Sequence, residues 1–294
     1  MRFCLPLIAF LSQAVIISAQ SSSGQGSERA ETKTGKSRLL LPIIAHRGDS
    51  HGFPENTLPA FRSAAAAGAD GCEFDIRATL DGQLVILHDD SLDRTTRPRL
   101  ARDKKTKLNT RTLKEIKNLD AGSWKGAKFA GEKIPTLDET LATLKATPCR
   151  PVIEIKEEGL EPGIIAALNK TELADRAVII AFSTEVVKNF RRLAPQIPVA
   201  LLKGGKTPGN KNKFIQELLA LTRALDISIL DLQHTLLSRE LITALHENGI
   251  TVWAWTVDEA RRMQELLDWG IDGITTNKPG LLKTIRSKHP VRSK

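Results

Sequence analysis

The stretch IIAHRGDSHGFPENTLPAF, residues 43–61, contains a complete strand–loop–helix unit. An apolar run is followed directly by His46, Arg47 and Gly48. A Pro-Glu-Asn-Thr turn then leads into a segment in which apolar residues recur at helical spacing. An apolar run that ends in ionisable residues predicts a buried strand whose carboxyl end opens onto a polar site.

This unit recurs along the rest of the chain. Nine short runs rich in β-branched residues are predicted strands, namely LLLPIIAH, GCEFDIRA, QLVILHD, PVIEIK, RAVIIAFS, IPVALLK, DISILDLQ, TVWAWTV and DGITTN. Helix-like segments lie between most of them, namely TLPAFRSAAAAGA, LDETLATLKAT, GIIAALNKTELAD, TEVVKNFRRLA, KFIQELLALTRAL, SRELITALHENG and DEARRMQELLDWG. This alternation over roughly 250 residues predicts an α/β fold, a parallel sheet closed into a (β/α)8 TIM barrel, with an open doubly wound sheet as the alternative.

Two irregularities interrupt the alternation. Only TLDG separates the second run from the third, which is too short for the crossover that parallel neighbours require. With Asp81-Gly82 as the turn, these runs should form an antiparallel hairpin that places Asp75 opposite His88. The stretch 89–135 lacks a convincing strand, so a small inserted segment is expected after the third strand, beside the barrel mouth. A disordered basic loop is the alternative for residues 97–107.

The composition argues against a nucleic-acid binder. The 294 residues are 41% apolar but only 4% aromatic and contain no tyrosine, so a surface of stacking rings for single-stranded nucleic acid is not expected. The net charge of +9 is concentrated in basic runs at 97–107, 203–213 and 283–294, which are typical of solvated loops and chain ends. A general attraction for anionic substrates or membrane head groups is a weaker alternative.

The first residues are typical of an export signal. Arg2 precedes the apolar FCLPLIAFLSQAVII, and small residues follow where a peptidase could cut. A retained membrane anchor is the alternative, but the apolar stretch is shorter than the ~20 residues of a spanning helix. We expect an exported protein, periplasmic or secreted, without stable membrane insertion after cleavage. Its predicted parts are a signal peptide at 1–20, a flexible linker at 21–38, the barrel at 39–288 and a basic tail at 289–294.

Two cysteines remain after the expected cleavage, Cys72 and Cys149. An oxidising compartment would permit a disulfide between them, whereas two buried free thiols are the simpler expectation. Neither cysteine has a partner at metal-ligand spacing, so we expect no thiolate metal site and no nucleophilic cysteine.

Ionisable residues occur at the ends of four successive predicted strands. Because the active sites of (β/α)8 barrels form at the carboxyl ends of the strands, we expect these side chains to converge. Three converging carboxylates repel one another unless a cation lies between them, and oxygen ligands suit Mg²⁺ or Ca²⁺. Two cationic side chains fit a phosphate ligand, and two imidazoles fit general acid and base roles. In strand order the residues are His46 and Arg47, Glu73 and Asp75, His88, and Glu154 and Lys156.

Each of these residues, taken alone, has a simpler structural explanation. A single Glu-x-Asp pair is more often a sheet edge or a salt bridge, and a single histidine at a strand end is usually only hydrogen-bonded. Their occurrence at four successive strand ends favours a metal site that handles phosphate.

The ordered motifs of the chain resemble those of the glycerophosphodiester phosphodiesterase family. They are AHRGDSHGFPENTLPAF, GADGCEFDIRATLDGQLVILHDDSLDRTT, LDAGSW, KIPTLDETL, VIEIK and VWAWTVDE followed by GIDGITTNKP. The resemblance extends from Leu41 to Gly280. It implies a (β/α)8 barrel with an insertion after the second histidine. It also implies metal-dependent hydrolysis of small glycerophosphodiesters to an alcohol and sn-glycerol 3-phosphate.

The resemblance implies a role for each matching residue. It leaves open which histidine is the acid, which of the two metals binds, which alcohol is preferred and what the oligomeric state is. The implied roles are metal binding by Glu73, Asp75 and Glu154, acid–base catalysis by His46 and His88, phosphate contacts by Arg47 and Lys156, lining of the site by Glu55 and Asn56, and a place near the pocket for Trp255.

Two residues depart from the family pattern. Asn277, in TTNKP, stands where relatives generally carry aspartate, and Asp258, in WTVDE, stands where asparagine is frequent. Two other functions remain as alternatives. One is a phospholipase D or sphingomyelinase-like enzyme acting on membrane lipids. The other is a binding protein that has lost catalysis, although no predicted catalytic residue is missing.

Overall fold

The computed structural model describes residues 29–31, 37–98, 106–206 and 209–289. The strands are β1 (Arg29–Glu31), β2 (Ser37–Leu39), β3 (Leu41–Ala45), β4 (Gly71–Ala78), β5 (Leu84–Ile86), β6 (Arg150–Ile155), β7 (Val178–Ala181), β8 (Val199–Lys203), β9 (Ile229–Gln233), β10 (Thr251–Trp255) and β11 (Gly273–Thr276). The α-helices are α1 (Leu58–Ala66), α2 (Leu113–Ile116), α3 (Leu137–Lys145), α4 (Glu161–Thr171), α5 (Thr184–Leu193), α6 (Lys211–Leu225), α7 (Arg239–Glu247), α8 (Ala260–Asp268) and α9 (Pro279–Lys288). All nine predicted strands are present.

Eight parallel strands close into a barrel. The order around it is β3, β11, β10, β9, β8, β7, β6 and β4, and β3 also pairs with β4. Parallel neighbours require a crossover, and each crossover from one barrel strand to the next contains a helix. The crossover from β4 to β6 is longer than the others, because β5 and the inserted segment precede its helix α3. The predicted (β/α)8 barrel is confirmed, and the closing pair of strands excludes the open sheet.

The hairpin of β4 and β5 is antiparallel as predicted, but its predicted register is wrong by one residue. Ile76 pairs with Ile86, and the carbonyl of Asp75 accepts from the amide of Leu87, so Leu87 rather than His88 lies opposite Asp75. The Thr79 amide donates to the carbonyl of Gln83, which leaves three residues, 80–82, in the loop. Gly82 ends this loop with a φ of +73°, as three-residue hairpin loops require.

Alternate strand residues face the helices or the barrel interior. The outward residues join the main apolar cluster with the helices. The inward residues form a second cluster of Ile44, Val152, Val178, Ile180, Ala200, Leu202, Ile229 and Trp253. Two residues further along each strand, the same inner face carries His46, Glu154, Phe182, Gly204, Asp231 and Trp255. These six positions therefore lie closer to the carboxyl ends of the strands than the inner apolar cluster does.

Short capping signals begin several of the outer helices. Ser183, Asn210 and Ser238 each accept a hydrogen bond from the backbone amide three residues later. Thr136 and Glu139 form a reciprocal capping box at α3. These caps fix the residues at which α3, α5, α6 and α7 begin.

The last basic run is helical rather than an extended solvated end, which corrects the prediction for residues 283–288. Pro279 occupies the first turn of α9, where its missing N–H needs no partner. Leu282 is fully buried and Ile285 packs against the main apolar cluster. The density of lysine and arginine concealed this apolar stripe. Residues 211–213 of the second basic run likewise form the first turn of α6.

The strands β1 and β2 pair within the stretch predicted as a flexible linker. Arg38 is buried, and its guanidinium lies 2.5 Å from Asp272 Oδ1 and 2.6 Å from His246 Nε2. The Leu39 amide donates to Thr251 Oγ1 at the start of β10. Residues from Ser37 onward therefore belong to the folded body, two residues before the predicted boundary.

The inserted segment after β5 has a small core of its own. The residues Val85, Leu87, Leu92, Leu108, Ile116, Leu119, Ala121 and Ile134 form a separate apolar cluster. Thr112 and Glu115 cap the short helix α2 reciprocally. The structure describes this segment over residues 89–98 and 106–135, and residues 99–105, which include most of the predicted basic loop, lie outside the described residues.

Several predictions fall outside the described residues, namely the signal peptide at 1–20 and most of the basic tail at 289–294. Within the described ranges, every helix lacks the length or the apolarity that a membrane crossing requires. Cys72 and Cys149 are both buried free thiols.

Candidate active site

Three carboxylates converge inside the barrel. Glu73 and Asp75 lie two residues apart on β4 and so share a face, and Glu154 lies beside Asp75 in the parallel register of β6. All three residues are at most 8% exposed. One oxygen from each lies within 4.8 Å of those from the other two. The fold therefore brings the three predicted metal ligands together.

The protonation of this cluster is strongly shifted. Burial and the neighbouring carboxylates raise the pKa of Glu73, and burial together with Asp75 raises the pKa of Glu154 to about 7. Burial also opposes ionisation of Asp75, but Arg47 and Lys156 outweigh it and lower the pKa of this carboxyl. At neutral pH the positive charge of Arg47 and Lys156 is therefore too small to keep all three carboxyls ionised.

The oxygens of the cluster fit a divalent cation. Glu73 Oε1 and Asp75 Oδ1 are buried without a hydrogen-bond partner among the described residues. The group consists of carboxylates alone, without histidine or cysteine, which suits Mg²⁺ or Ca²⁺ better than zinc. A double positive charge here would offset the repulsion that raises the pKa of Glu73 and Glu154.

Two cationic side chains border the carboxylates. Lys156 Nζ lies 2.6 Å from Glu154 Oε1 and 3.3 Å from Asp75 Oδ1. Arg47 Nε lies 3.3 Å from Asp75 Oδ2. The φ of Arg47 is +56°, and in this strained conformation its backbone amide donates to Glu73 Oε2 at 2.8 Å. Both predicted phosphate-binding residues therefore lie at the cluster.

The Pro-Glu-Asn-Thr turn supports the cluster from one side. Asn56 is 4% exposed and donates from Nδ2 to Asp75 Oδ2 at 2.7 Å. Glu55 Oε1 accepts from Arg47 Nη1 at 2.8 Å. Glu55 and Asn56 therefore position other groups of the site, and their direct contact with substrate stays a prediction.

His46 follows β3 and is held by an amide. Asn277 Nδ2 donates to Asp258 Oδ2 at 2.5 Å, which directs Asn277 Oδ1 toward His46 Nδ1 at 2.8 Å. Ser50 Oγ donates to the same oxygen at 2.7 Å. This arrangement places the proton of the neutral ring on Nδ1 and leaves Nε2 unprotonated. Burial, assisted by Arg47, lowers the pKa of His46 to about 4, so the ring is neutral at pH 7.

His88 follows β5 and is held by a carboxylate. Its Nδ1 lies 2.7 Å from Asp89 Oδ1, and the side chain is 34% exposed. Burial lowers the pKa of His88, whereas the charges of Asp75 and Asp89 oppose this. Since a carboxylate partner stabilises the imidazolium, His88 is better suited than His46 to carry a proton.

Comparison with known proteins identifies the family of this chain. Residues 46–281 match the glycerophosphoryl diester phosphodiesterase family. The chain belongs to this family. A glycerophosphodiester phosphodiesterase of Caldanaerobacter subterraneus subsp. tengcongensis is 34% identical over 245 residues, which cover 82% of this chain and 95% of that protein. A second, of Bacillus subtilis, is 31% identical over 274 residues, which cover 85% of this chain and 89% of that protein.

Solved structures of other members have the same fold. A phosphodiesterase of Oleispira antarctica, determined in complex with the product sn-glycerol-3-phosphate, matches with a TM-score of 0.72 at 28% identity, covering 84% of this chain and 97% of that chain. A glycerophosphodiester phosphodiesterase of Agrobacterium tumefaciens matches with a TM-score of 0.71 at 25% identity, covering 83% and 100% of the two chains. This glycerophosphoryl diester phosphodiesterase family member is therefore a phosphoric diester hydrolase.

The two departures from the family pattern contact each other. Asp258 Oδ1 accepts from the amide of Asn277 at 2.8 Å and from Thr276 Oγ1 at 3.0 Å, in addition to the contact between the two side chains. The expected carboxylate and amide have thus exchanged places. As a result, the negative charge lies one hydrogen bond further from His46 in this family member.

Three ionisable residues of the site are missing from the predicted set, namely Arg94, its partner Asp89, and Asp231. Arg94 forms ion pairs with Glu55 and Asp89, and its place in the family-like motif DRTT was the available signal. Asp231 is 1% exposed on the inner face of β9, and burial and Glu154 raise its pKa. Its signal was an acidic residue inside an apolar run.

The opposite side of the mouth is neutral and partly aromatic. Trp255, at the end of β10, packs edge-on against Phe182, with ring centroids 5.5 Å apart, and Phe182 is 50% exposed. A Cβ atom on Gly204 would approach the Trp255 ring to 3.1 Å and Gln233 Oε1 to 2.9 Å, so a larger residue here would have to displace both side chains. The Gly205 amide donates to Gln233 Oε1 at 3.0 Å, which orients the amide of Gln233.

Proposed function

We propose that this protein hydrolyses small glycerophosphodiesters to an alcohol and sn-glycerol 3-phosphate with a divalent cation, Mg²⁺ or Ca²⁺, and two histidines. The observation that carries the proposal is the buried cluster of Glu73, Asp75 and Glu154, whose electrostatic environment includes His88, Arg47 and Lys156. The bound product of the Oleispira antarctica relative supports the same product for this chain.

In this proposal His46 is the general base. Its Nδ1–H donates to Asn277 Oδ1, so Nε2 has a free lone pair, and the lowered pKa keeps the ring neutral. Nε2 accepts the proton of the attacking oxygen, which belongs either to water or to the substrate's own 2-hydroxyl. Attack by the 2-hydroxyl expels the alcohol and gives a cyclic phosphate, which water then opens to sn-glycerol 3-phosphate. A positioned base of this kind contributes about 10²- to 10⁴-fold to the rate.

His88 is the general acid in this proposal. Its contact with Asp89 stabilises the protonated ring, and its partial exposure allows it to be reprotonated from solvent after each turnover. The proton moves from His88 to the oxygen of the departing alcohol as the bond between phosphorus and that oxygen breaks.

Glu73, Asp75 and Glu154 would hold the cation, which supplies positive charge next to the phosphoryl oxygens. Lys156 and Arg47 lie within 3.3 Å of Asp75, so they can contact phosphate oxygens at the edge of the same cluster. Their charge stabilises the negative charge that develops on these oxygens in the transition state.

We also propose that the protein is exported and acts on small molecules outside the cytoplasm, without nucleic acid as a partner. The support is the arrangement of Arg2, the apolar run and the small residues near position 20. The intact mass of the exported protein tests this directly. We expect a mature start near residue 20, and a full-length mass would contradict the proposal.

The activity itself is tested with a panel of diesters that share the glyceryl group. Glycerophosphocholine, glycerophosphoethanolamine, glycerophosphoinositol and a long-chain lysophosphatidylcholine are each assayed with Mg²⁺, with Ca²⁺ and with chelator. We expect cation-dependent release of sn-glycerol 3-phosphate from the small diesters. Turnover of the lysolipid alone would favour a lipid-directed enzyme, and no turnover with either metal would contradict the proposal.

A further inference from the structure

Arg94 connects two loops that carry different groups of the site. Its Nη1 and Nη2 donate to Glu55 Oε2 and Oε1 at 2.8 and 2.7 Å, and its Nε and Nη2 donate to Asp89 Oδ2 and Oδ1 at 2.6 and 3.1 Å. Glu55 belongs to the loop after β3, and Asp89 belongs to the loop after β5. One guanidinium therefore binds two carboxylates through two edges at once.

Each of these carboxylates holds a second group of the site. Glu55 Oε1 also accepts from Arg47, which borders the carboxylate cluster. Asp89 Oδ1 also contacts Nδ1 of His88. The position of Asp89 against His88 and the position of Glu55 against Arg47 consequently depend on the same side chain.

The chemistry of this contact requires arginine. A planar guanidinium presents N–H groups along more than one edge and can pair with two carboxylates in fixed directions, whereas a lysine ammonium is a single point charge. The side chain of Arg94 is 43% exposed. Partly exposed ion pairs contribute little to folding, so the contact is better explained by the geometry it maintains than by stability.

We propose that Arg94 is a positioning residue that holds Asp89 against His88 and Glu55 against Arg47 together, and so aligns the proton donor with the phosphate-binding side chain. This inference rests on the proposed function. Arg94 acts through its two partners, so its loss should reach the reaction by two separable routes. The route through Asp89 affects proton donation by His88, and the route through Glu55 affects the placement of Arg47 beside the phosphate, so the loss of either lowers kcat/KM.

The kinetic test compares Arg94→Ala and Arg94→Lys with wild type on glycerophosphocholine, alone and in the backgrounds Asp89→Asn and Glu55→Gln. We expect each single variant to lose about 10- to 100-fold in kcat/KM, because small misplacements of reacting groups have effects of this size. In the Asp89→Asn background and in the Glu55→Gln background the change at Arg94 should each time cost less than it does in wild type, because one of its two routes is already lost. Arg191→Ala removes a surface pair with Asp226 and serves as the matched control.

Chemical rescue separates positioning from folding. Free guanidinium at sub-denaturing concentration should restore part of the kcat of Arg94→Ala in a saturable manner, and it should not rescue Asp89→Asn. Unchanged kinetics in both Arg94 variants of an active enzyme would overturn the inference and leave the proposed function intact.

A measurement without turnover keeps the inference testable if the proposed function fails. In protein labelled with ¹⁵N-histidine, the resonance of His88 is assigned by its absence from His88→Asn. If Arg94 holds Asp89 against His88, the change in the His88 pKa caused by Asp89→Asn should be smaller in the Arg94→Ala background than in wild type, because the contact is already weakened. An equal change in both backgrounds would overturn the inference whether or not the protein hydrolyses any diester.

Discussion

The two halves of the barrel mouth are built from the same strand–loop–helix unit but differ in chemistry. The half formed by β3 to β6 carries most of the ionisable groups. The half formed by β7 to β10 carries neutral and aromatic groups at the same height on the inner face, together with one buried acid, Asp231, whose pKa burial raises. The charged half consists of His46, Arg47, Glu73, Asp75, His88, Glu154 and Lys156, and the neutral half of Phe182, Gly204, Gln233 and Trp255, with Asp231 below them.

The difference shows how one barrel can bind the two parts of a phosphodiester. Buried charges are tolerated when opposite charges lie within contact distance, as Lys156 and Asp75 do. Concentrating them on four neighbouring strands satisfies this requirement and leaves the other strands free for apolar contacts. The phosphate is then expected at the charged half and the organic substituent over Phe182 and Trp255. Variants of the charged half should change mainly kcat, and those of the neutral half mainly KM.

Replacing either histidine would test the charged half most severely. His46→Ala and His88→Ala should each lower kcat by about 10²- to 10⁴-fold, because each removes a proton-transfer group. Steady-state kinetics on glycerophosphocholine and the thermal midpoint provide the measurement. His289→Ala, which removes a surface contact with Asp268, is the control. Near-normal turnover in both variants would remove the acid–base assignment.

The pH dependence of the unfolding free energy tests whether burial and the neighbouring Asp75 raise the pKa of Glu154 in the folded protein. The pKa of Glu154 is raised in the folded protein from 4.5 to about 7. Its stabilising contribution is therefore complete below about pH 4.5 and is lost as the pH rises through about 7. In chelator, wild type should lose about 3 kcal/mol more unfolding free energy than Glu154→Gln between these limits.

The same unfolding experiment is repeated with a divalent cation in place of the chelator. Added Mg²⁺ or Ca²⁺ should abolish this loss in wild type, because a cation favours the ionised carboxylates. Urea unfolding across the pH range gives the values, and Glu172→Gln, a change in an exposed ion pair, is the control. Equal pH profiles for wild type and Glu154→Gln would contradict the raised pKa.

Shortening the aromatic side chains of the neutral half should have a smaller effect on catalysis, and this effect should fall on KM more than on kcat. Trp255→Ala and Phe182→Ala should raise KM by about tenfold with less change in kcat, because they remove contacts made equally in the ground and transition states. Trp269→Phe, in which the changed ring lies against Arg262, is the control. A loss confined to kcat would show that the two halves do not divide binding from chemistry.

The exchanged pair at His46 should give the smallest change. Asn277→Asp alone places two carboxylates where the side chains are 2.5 Å apart, and we expect about a tenfold loss of kcat from their repulsion. The double exchange Asp258→Asn with Asn277→Asp should recover most of this activity. It should also move the acidic limb of the pH–rate profile to higher pH, because a carboxylate on Nδ1 raises the pKa of His46. An unshifted limb would show that Asn277 does not tune this ring.

The charged half was more predictable from sequence than the neutral half for a physical reason. An ionisable residue at the end of an apolar run, such as Glu154, is conspicuous because burial of charge is rare without a partner. Phe182 and Gly204 continue apolar or small-residue sequence and carry no such signal. Their role becomes apparent only when the closed barrel brings the inward-facing residues of neighbouring strands to the same height.

The errors have equally specific causes. The hairpin register was missed by one residue because Asp81-Gly82 suggested a two-residue turn, whereas Leu80 also belongs to the loop. Helix α9 was missed because lysine and arginine surround the buried Leu282. Arg94 was missed because its partners come from two loops that are distant in sequence.

The sequence alone determined the repeating unit and the strand ends that carry His46, Glu73, Asp75, His88 and Glu154, because hydrophobic periodicity and buried charge are local signals. It favoured a closed barrel over an open sheet, and the pairing of β3 with β4 decided between them. The tertiary structure alone decided what each of these groups contacts. The amide of Asn277 on His46 and the guanidinium of Arg94 on Glu55 join residues far apart in the chain. The same Arg94 holds Asp89, the neighbour of His88 in sequence, against that histidine. Such contacts form only when the barrel closes, and they decide how each histidine is oriented and protonated.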